Sequence, residues 1–313
     1  MVDINMKKAE IRKDYLSDDY VIITPKRKER PRDVREKTVV ERDAANCPFC
    51  DHNIDKKYIV DRMDKPHSRG WEMLSLKNKY PAVTKKNKKA YGTQEVIVET
   101  PSHGKDLADL NRKQVERLLY MYQKRTEELS KEKKINYVLC FKNEGSKAGA
   151  SIAHAHSQIF ATHIIPPDIR KESQRAQNYY IQNNTCPYCD IAAREVKSKR
   201  GIYEDENISC FAPYASEYHY EAWILTKRHA SSILDLRQKE IRSVADCLKK
   251  LLDKMQGINL SFNLFLHHVE GDAYRHFYLK VRPRDSIWAG VELGSGIVIN
   301  SIPPEYAAKF YRG

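Results

Sequence analysis

Apolar residues along the chain alternate between strand-like runs and helix-like spacing. An apolar run at 95–99 has the length of a buried strand, and a second run at 136–141 resembles it. Between them, apolar side chains follow the i, i+3, i+4, i+7 spacing of an amphipathic helix, at Val115, Leu118, Leu119 and Tyr122. A glycine-bearing turn at 143–149 then leads to a third run. The pattern predicts the order strand, helix, strand, turn, strand.

The third run, 151–161, carries polar side chains at alternate positions. His154, His156 and Gln158 recur at every second residue. Successive side chains of a β-strand point to opposite faces, so a strand over 151–161 predicts all three groups on one face. The other face would carry small side chains.

The same order of elements occurs a second time. The window 221–229 aligns with 95–103 without a gap, helical spacing returns over 241–252, and an apolar run at 261–266 follows. A final run, 274–281, aligns with the stretch of alternating polar residues. The equivalent pairs are His154 with His276, His156 with Tyr278, and Gln158 with Lys280. We interpret this as an ancient duplication in which one half kept the chemistry.

Four of the seven cysteines form two Cys-x-x-Cys pairs, one in each repeat. Without a secretion signal, this pattern favours metal binding over disulfides. Each repeat also has one histidine after a strand and one near its last strand. Two thiolates and two imidazoles complete a tetrahedral zinc shell, which predicts a structural ion. The predicted sets are Cys47, Cys50, His103 and His154 in the first repeat, and Cys186, Cys189, His229 and His276 in the second.

The net positive charge of the chain indicates an anionic partner. The 313 residues carry a formal charge of +13, which does not distinguish nucleic acid from phosphorylated metabolites. A zinc-stabilised nucleic-acid-binding protein is therefore one alternative, although it leaves the His-x-His-x-Gln spacing unexplained. The chain has no run of 18 apolar residues, and its amino terminus lacks the apolar core of a signal peptide. We therefore expect a soluble cytoplasmic protein.

If zinc binds His154, the reactive group left on the same strand face is His156. A neutral imidazole can attack phosphorus and later leave, so it suits a covalent nucleotidyl carrier. Gln158 offers an amide donor to a phosphoryl oxygen but no acid proton, which suits a sugar-phosphate leaving group. Ser151 and Asn143 could add donors around the phosphates, although ordinary capping of the turn would explain each of them alone.

These residues resemble the signature of the galactose-1-phosphate uridylyltransferases, a branch of the histidine-triad superfamily in which glutamine replaces the third triad histidine. The matching motifs are Asn143-Glu-Gly, Gly149-Ala-Ser151 and His154-Ala-His156-Ser-Gln158. The resemblance implies an α+β fold of two tandem histidine-triad-like repeats, each an antiparallel sheet packed with helices. We expect residues 1–165 to carry the active site and first zinc site, and residues 166–313 to carry the degenerate repeat, a second zinc site and the sugar-binding end.

The resemblance also implies roles for single residues. His156 would be the nucleophile that becomes uridylylated, and Gln158 would hold the phosphate. Arg27 and Arg30 match the family's leader segment, whose two arginines meet the nucleotide, and Glu292 matches its sugar-binding end. The first Cys₂His₂ set would bind the family's Zn²⁺, and the protein would be a homodimer with sites shared between chains.

The implied reaction is ping-pong transfer of UMP from UDP-glucose to galactose 1-phosphate or a similar hexose 1-phosphate. Nucleic acid and membrane are not expected partners. The sequence departs from the family pattern at Ala155, where proline is usual, at Ser157, where glycine is usual, and after Glu292, where the usual glutamine is not evident. Because related phosphorylases depart similarly, an ADP-glucose phosphorylase that uses inorganic phosphate remains an alternative. Gln158 argues against a plain histidine-triad hydrolase.

Overall fold

A computed structural model describes residues 8–29, 44–269 and 271–313. The chain has the predicted α+β fold, with helices packed on antiparallel sheet. Within the described ranges, no helix has the length and apolar character needed to cross a membrane. Arg30, a predicted nucleotide contact, lies outside the described residues.

Thirteen strands and six α-helices make up the described part of the chain. The strands are β1 (Glu10–Lys13), β2 (Tyr20–Ile23), β3 (Ile59–Asp64), β4 (Trp71–Lys77), β5 (Gly92–Val98), β6 (Tyr137–Glu144), β7 (His156–Thr162), β8 (Gly201–Glu204), β9 (Ile208–Phe211), β10 (Ala222–Thr226), β11 (Phe262–His267), β12 (Tyr278–Pro283) and β13 (Val298–Asn300). The helices are α1 (Arg112–Ser130), α2 (Pro167–Asn183), α3 (Pro187–Glu195), α4 (Gln238–Gln256), α5 (Gly290–Ser295) and α6 (Pro304–Arg312).

Ten of the strands form one continuous sheet in the order β3-β4-β5-β7-β6-β11-β12-β10-β9-β8. Read from either outer edge, the two halves have the same order, and β6 and β11 join them at the centre. Lys142 lies directly opposite Leu264 in this central pair. The strand order therefore matches the two repeats expected from the sequence. The division after residue 165 stays a prediction.

A smaller sheet joins the two ends of the described chain. Strand β2 pairs antiparallel with β1 and parallel with β13, in the order β1-β2-β13. Its buried residues Val21, Ile23 and Val298 pack against Ala215 from the large-sheet half of the molecule. The amino-terminal segment is thereby held against the second repeat.

Helices α1 and α4 cover one face of the large sheet and pack against each other. Helix α1 begins after Asn111, whose side chain accepts a hydrogen bond from the Gln114 amide (3.1 Å) while Gln114 caps the Asn111 amide in return (3.0 Å). The predicted apolar positions of α1 are buried: Val115, Leu118, Leu119 and Tyr122. The cysteine and histidine clusters lie on the opposite face of the sheet, which leaves that face for the chemistry.

The two strands that carry the aligned polar residues are shorter than predicted. Strand β7 begins at His156, so the expected strand over 151–161 is wrong for its first five residues. The Ala155 amide instead donates to the Lys105 carbonyl (3.2 Å), outside the ladder. Strand β12 likewise begins at Tyr278. His154 and His276, both predicted to bind zinc, therefore precede β7 and β12. The directions of their side chains do not follow the two-residue alternation of the strand.

The ungapped alignment of the repeats is wrong by one residue within a strand. Strand β5 places Val98 opposite His156, whereas β10 places Leu225, and not Ile224, opposite Tyr278. A strand slipped by one residue turns every side chain to the other face. His103 follows Val98 by five positions, whereas His229 follows Leu225 by four. This difference compensates for the slip, and the rings of His103 and His229 lie 5.5 and 5.3 Å from those of His154 and His276.

Candidate active site and metal clusters

The amino-terminal end of β7 opens into a cavity of about 600 Å³. Three of the residues predicted to contact substrate or react with it, Asn143, Ser151 and His156, line this cavity. The second repeat contributes the wall formed by residues 259–261. The structure thus brings the predicted nucleophile and two predicted phosphate contacts together at the junction of the repeats.

His156 is held in the form that a nucleophile requires. Its side chain is 8% exposed, and its Nδ1 donates to the His154 carbonyl oxygen (2.8 Å). Because that oxygen can only accept, the lone pair of the neutral ring is on Nε2. Burial and the Lys142 ammonium lower the pKa of His156 to about 4. The neutral, nucleophilic imidazole is therefore the form present near neutral pH.

Gln158 lies two residues farther along β7 on the same face, beyond the residues that line the cavity. Its Oε1 accepts a hydrogen bond from Gln94 Nε2 (3.0 Å) on the neighbouring strand β5. This contact leaves the Gln158 amide hydrogens available to a phosphoryl oxygen. Sequence reasoning missed Gln94, although its alternation with the strand's apolar residues placed it on this face.

The glycine turn before the nucleophile is fixed by the second repeat. Gly145 has φ +79°, and a Cβ on it would lie 2.2 Å from Ser261 Oγ, so no side chain fits there. Asn263 Nδ2 donates to Asn143 Oδ1 (2.8 Å) and to the Ala148 carbonyl (2.9 Å). Asn143 therefore presents its amide nitrogen, a donor, as the group left for substrate.

A buried polar network lies behind His156, on the helix face of the sheet. Lys142 Nζ donates to Glu99 (2.9 Å) and to the His156 carbonyl oxygen (3.0 Å), and it pairs with Glu144 (2.8 Å). Although burial acts to lower it, the carboxylates of Glu144 and Glu99 raise the pKa of Lys142. The lysine is therefore charged and anchors the backbone of the nucleophile. In the sequence, this network could have been recognised from charged residues such as Lys142 and Glu99, which lie within or next to otherwise apolar strands.

Two of the three departures from the family pattern, Ser157 and Ala155, have local explanations. Ser157 Oγ donates to Glu99 Oε1 (2.6 Å) and accepts from the Tyr122 hydroxyl (2.7 Å), a role that glycine cannot fill. The Ala155 amide donates to the Lys105 carbonyl, and proline has no such hydrogen. The substitutions therefore belong to the same local arrangement that holds β7.

The four ligands predicted for the first metal site lie together. Their ligand atoms all lie within 4.8 Å of one another: Cys47, Cys50, His103 and His154. His154 Nδ1 is 3.5 Å from Cys47 Sγ, and His103 Nδ1 is 3.5 Å from Cys50 Sγ. A tetrahedral zinc ion would hold sulfur and nitrogen about 3.5 Å apart. His154 Nε2 donates to the Thr100 carbonyl (2.8 Å), which leaves Nδ1 as the ligand atom. The cluster could hold a metal ion.

The second predicted metal set is only partly assembled. Cys186, Cys189 and His229 form a cluster, with Cys189 Sγ 3.7 Å from His229 Nδ1. His276 is not part of that group, although its ring centre is 5.3 Å from that of His229. Its Nδ1 is bonded to the Phe277 carbonyl (2.8 Å). Nδ1 of His154 thus points to the cysteines of its cluster, whereas Nδ1 of His276 points to a backbone carbonyl.

The remaining predicted contacts lie away from the His156 cavity. Arg27 is in a short 3₁₀ turn after β2, and Glu292 is in α5. Burial opposes the effect, but the Ala289 amide and the nearby Arg27 lower the pKa of Glu292. Neither residue is among those that line the cavity.

Comparison with known proteins places this geometry in a family. Residues 2–166, more than half of the chain, match the model of the galactose-1-phosphate uridyl transferase N-terminal domain. The chain belongs to the galactose-1-phosphate uridylyltransferase family. Residues 108–309 also match a domain of unknown function, DUF4921. This family member is a nucleotidyltransferase, as predicted.

Relatives of two kinds cover nearly the whole chain. An ADP-glucose phosphorylase from Arabidopsis thaliana is 29% identical over 99% of this chain and 94% of its own length. A galactose-1-phosphate uridylyltransferase from Thermotoga maritima is 27% identical over 97% and 98%. A crystal structure of the Arabidopsis ADP-glucose phosphorylase with bound ADP-glucose superposes with a TM-score of 0.85 at 28% identity, covering 97% and 99% of the two chains.

Proposed function

We propose that this uridylyltransferase-family member transfers a nucleotidyl group from a nucleoside diphosphate hexose through a covalent intermediate on His156. The observation that carries the proposal is the neutral imidazole with Nδ1 bonded to a carbonyl and Nε2 left as nucleophile, at a cavity of about 600 Å³. A cavity of this size suits a substrate of nucleotide-sugar dimensions.

The transfer takes two balanced steps. His156 Nε2 attacks the α-phosphorus, the nitrogen–phosphorus bond forms, and the bond to the hexose 1-phosphate oxygen breaks with its electron pair leaving on that oxygen. The acceptor oxygen then attacks the same phosphorus and the histidine leaves. The His154 carbonyl supports the positive charge on the ring by keeping the Nδ1 proton (2.8 Å). The amides of Gln158 and Asn143 donate to the phosphoryl oxygens.

The donor we expect is UDP-glucose and the acceptor a hexose 1-phosphate such as galactose 1-phosphate. The family model and the Thermotoga relative support this pair. ADP-glucose with inorganic phosphate is a second candidate, favoured by the similarity to the Arabidopsis phosphorylase over 99% of the chain. Both reactions use the same intermediate and differ in the base and in the acceptor.

The first cysteine–histidine cluster is proposed to hold one structural Zn²⁺. The ligands Cys47, Cys50, His103 and His154 fit a closed tetrahedral shell, and the ion supplies rigidity to the segment that precedes β7. His154 links the two sites, because its ring joins the cluster and its carbonyl oxygen holds His156. For the second cluster, Cys186, Cys189 and His229 are the proposed ligands.

We further propose a homodimer in which Arg27 and Glu292 of one chain complete the cavity of the other. Their position away from their own chain's cavity supports this arrangement. Mixing His156→Ala protein with Glu292→Ala protein should then restore part of the activity, since mixed dimers contain one intact shared site. Sedimentation of a monomer at assay concentration, or no gain on mixing, would refute it.

The function is tested by labelling and an acceptor screen. Protein is incubated with UDP-glucose or ADP-glucose carrying ³²P at the α-position, and the acid-labile label on the chain is counted. Galactose 1-phosphate, other hexose 1-phosphates and inorganic phosphate are then added singly to discharge it. Discharge by a hexose 1-phosphate supports the transferase, and discharge by phosphate alone supports the phosphorylase. No label from either donor, together with salt-sensitive binding of DNA or RNA, would favour the nucleic-acid alternative.

A further inference from the structure

The second repeat contains a cavity of about 400 Å³ on the same face of the sheet as His156. It lies over β10 and β12 and is closed by α2, α3 and the segment 14–19. Tyr278 and Lys280, the counterparts of His156 and Gln158, line it. The half without the nucleophile has thus kept an enclosed space at the equivalent position.

The acidic groups on the inner walls of this cavity, of which Glu221 is buried and Glu172 and Glu217 are partly exposed, already have partners. Glu172 pairs with Arg275 (2.6 Å), and Glu217 pairs with Arg282 (2.7 Å). Glu221 accepts from Trp223 Nε1 (2.9 Å) and from the Glu217 and Tyr218 amides (3.1 and 3.3 Å), and it also lies 3.5 Å from Arg282. The carboxylates are therefore neutralised by protein donors and do not need a cation from outside.

Lys280 is the exception among these charged groups. It is 6% exposed, and its ammonium lies over the rings of Trp223 (4.5 Å) and Tyr278 (5.4 Å). Among the described residues it makes no ion pair, whereas Arg275 pairs with Glu172 and Arg282 pairs with Glu217 and Glu221. Burial and the Arg282 guanidinium lower the pKa of Lys280. A buried ammonium with three donors and no acceptor is costly unless an anion or acceptor lies beside it.

Two further polar atoms of the lining lack a protein partner in the described structure. Trp288 Nε1, which can only donate, is buried without one, and so is His267 Nδ1. The His267 ring stacks on Tyr278 at 4.7 Å, nearly parallel, and burial lowers its pKa well below the usual value. The charged group and the indole are both donors, so the cavity requires acceptor oxygens.

Two acidic side chains at the outer rim have partners of their own, and a third, Asp19, is exposed, so water screens its charge. Asp14 accepts from the Leu16 and Ser17 amides (3.0 and 2.9 Å), and Asp168 pairs with Lys171 (3.4 Å). These groups lie at the mouth, in the segment 14–19 and the first turn of α2. We therefore expect the anionic group of a ligand at the inner end of the cavity, next to Lys280, and the uncharged part of that ligand toward the rim.

We propose that this cavity binds the phosphoryl group of a small phosphorylated molecule, with Lys280 as its cation. A tetrahedral phosphoryl group offers several acceptor oxygens, which can meet donors from β12 and from the Trp288 loop at once. The volume of about 400 Å³ leaves room for a sugar or similar body beside the wall formed by Trp223 and Tyr278. The site is separate from the proposed transfer at His156 and does not depend on it.

The chain's three tryptophans allow a direct test on the whole protein. Trp223 and Trp288 line the cavity, and Trp71, in β4 of the first repeat, serves as the internal reference. Protein labelled with 5-fluorotryptophan is titrated by ¹⁹F NMR with inorganic phosphate, glucose 1-phosphate and UMP, with glucose and malonate as controls. We expect the Trp223 and Trp288 signals to move with at least one phosphorylated compound and to stay unchanged with glucose or malonate.

Three variants decide where the ligand binds. Lys280→Met should weaken binding at least about 10-fold, because a charge-assisted contact is lost, while Lys280→Arg should retain it within a few fold. Lys309→Met removes an exposed lysine of α6, outside the cavity lining, and should have no effect. Signals that stay fixed with all three phosphorylated compounds, equal shifts with malonate, or unchanged binding in a folded Lys280→Met protein would overturn the proposal. Nucleotidyl transfer is measured in parallel, so loss of one property is distinguishable from loss of the other.

Discussion

The two halves of the ten-stranded sheet place different chemistry on equivalent strands. In the first half β7 begins with His156, and the charged pair of Lys142 and Glu99 lies behind it. In the second half β12 begins with Tyr278. Phe141 pairs with Gln158 as Phe265 pairs with Lys280, so the residue equivalent to Lys142 is Leu266. The buried charges accompany the nucleophile and are absent from that place in its counterpart, which indicates that they serve the site rather than the fold.

The metal clusters of the two halves also differ, in the number of ligands that lie together and in their burial. The first brings four ligands together, and both of its cysteines are buried. The second brings three together, and His229 is exposed. The repeat that carries the nucleophile therefore has the more complete cluster, joined to it through His154.

The largest expected difference between the halves is in catalysis. Replacing His156 with alanine removes the attacking nitrogen and should lower nucleotidyl transfer at least about 10⁴-fold. Tyr278→Ala at the equivalent position should leave the rate within a few fold of wild type. Acid-labile ³²P on the chain and steady-state turnover measure both variants. Label on the His156→Ala protein equal to that on wild type would contradict the assignment.

Replacing one cysteine of each metal cluster should lower the stability of the protein more in the first half than in the second. Cys50→Ser leaves three ligands in a buried site and should lower the free energy of unfolding by more than about 5 kcal/mol, with loss of one zinc per chain. Cys189→Ser acts on the half-exposed cluster and should cost no more than about 2 kcal/mol. Zinc content by mass spectrometry and denaturant unfolding provide the measurements. Equal losses of zinc and stability would show that the clusters do not differ.

The sequence predicted most of the elements of the fold, but it did not predict the register of every strand. Period-two and 3.6-residue spacing predicted α1, α4 and the central strands, because each of them buries one apolar face. Repetition also predicted which cysteines and histidines would approach one another in the first half. The one-residue slip of β10 was missed, since Glu221 and Glu95 are identical residues at aligned positions although their strands pair in different registers.

Contacts across the sheet were the part that spacing did not predict. Gln94 and Gln158 are 64 positions apart, and Asn263 and Asn143 are 120 apart. Their contacts follow from strand order, which a linear pattern does not specify. His276 failed to join its cluster because the rotation of a ring toward a neighbouring carbonyl depends on local backbone geometry.

The buried lysine of the first half gives a third prediction. Lys142→Leu introduces the residue type that the second half has at the equivalent position, Leu266, but it leaves Glu99 and Glu144 without their shared cation. We expect the free energy of unfolding to fall by about 3–5 kcal/mol. The double variant with Glu99→Gln should recover part of that loss, because the more deeply buried of the two uncompensated charges is then removed. Chemical denaturation measures both, and a double variant less stable than the single one would argue against a paired charge.

The smallest effect is expected at Gln94, whose amide orients Gln158 across the strand pair at 3.0 Å. Gln94→Leu keeps the side-chain volume but removes the donor, so Gln158 loses its preferred orientation and kcat should fall about 10-fold. Gln158→Leu should cost about 10²-fold or more, because it removes the group that contacts phosphate. With Gln158→Leu already present, Gln94→Leu should have almost no further effect if it acts only through that residue. An additive loss in the double variant would show that Gln94 contacts the substrate itself.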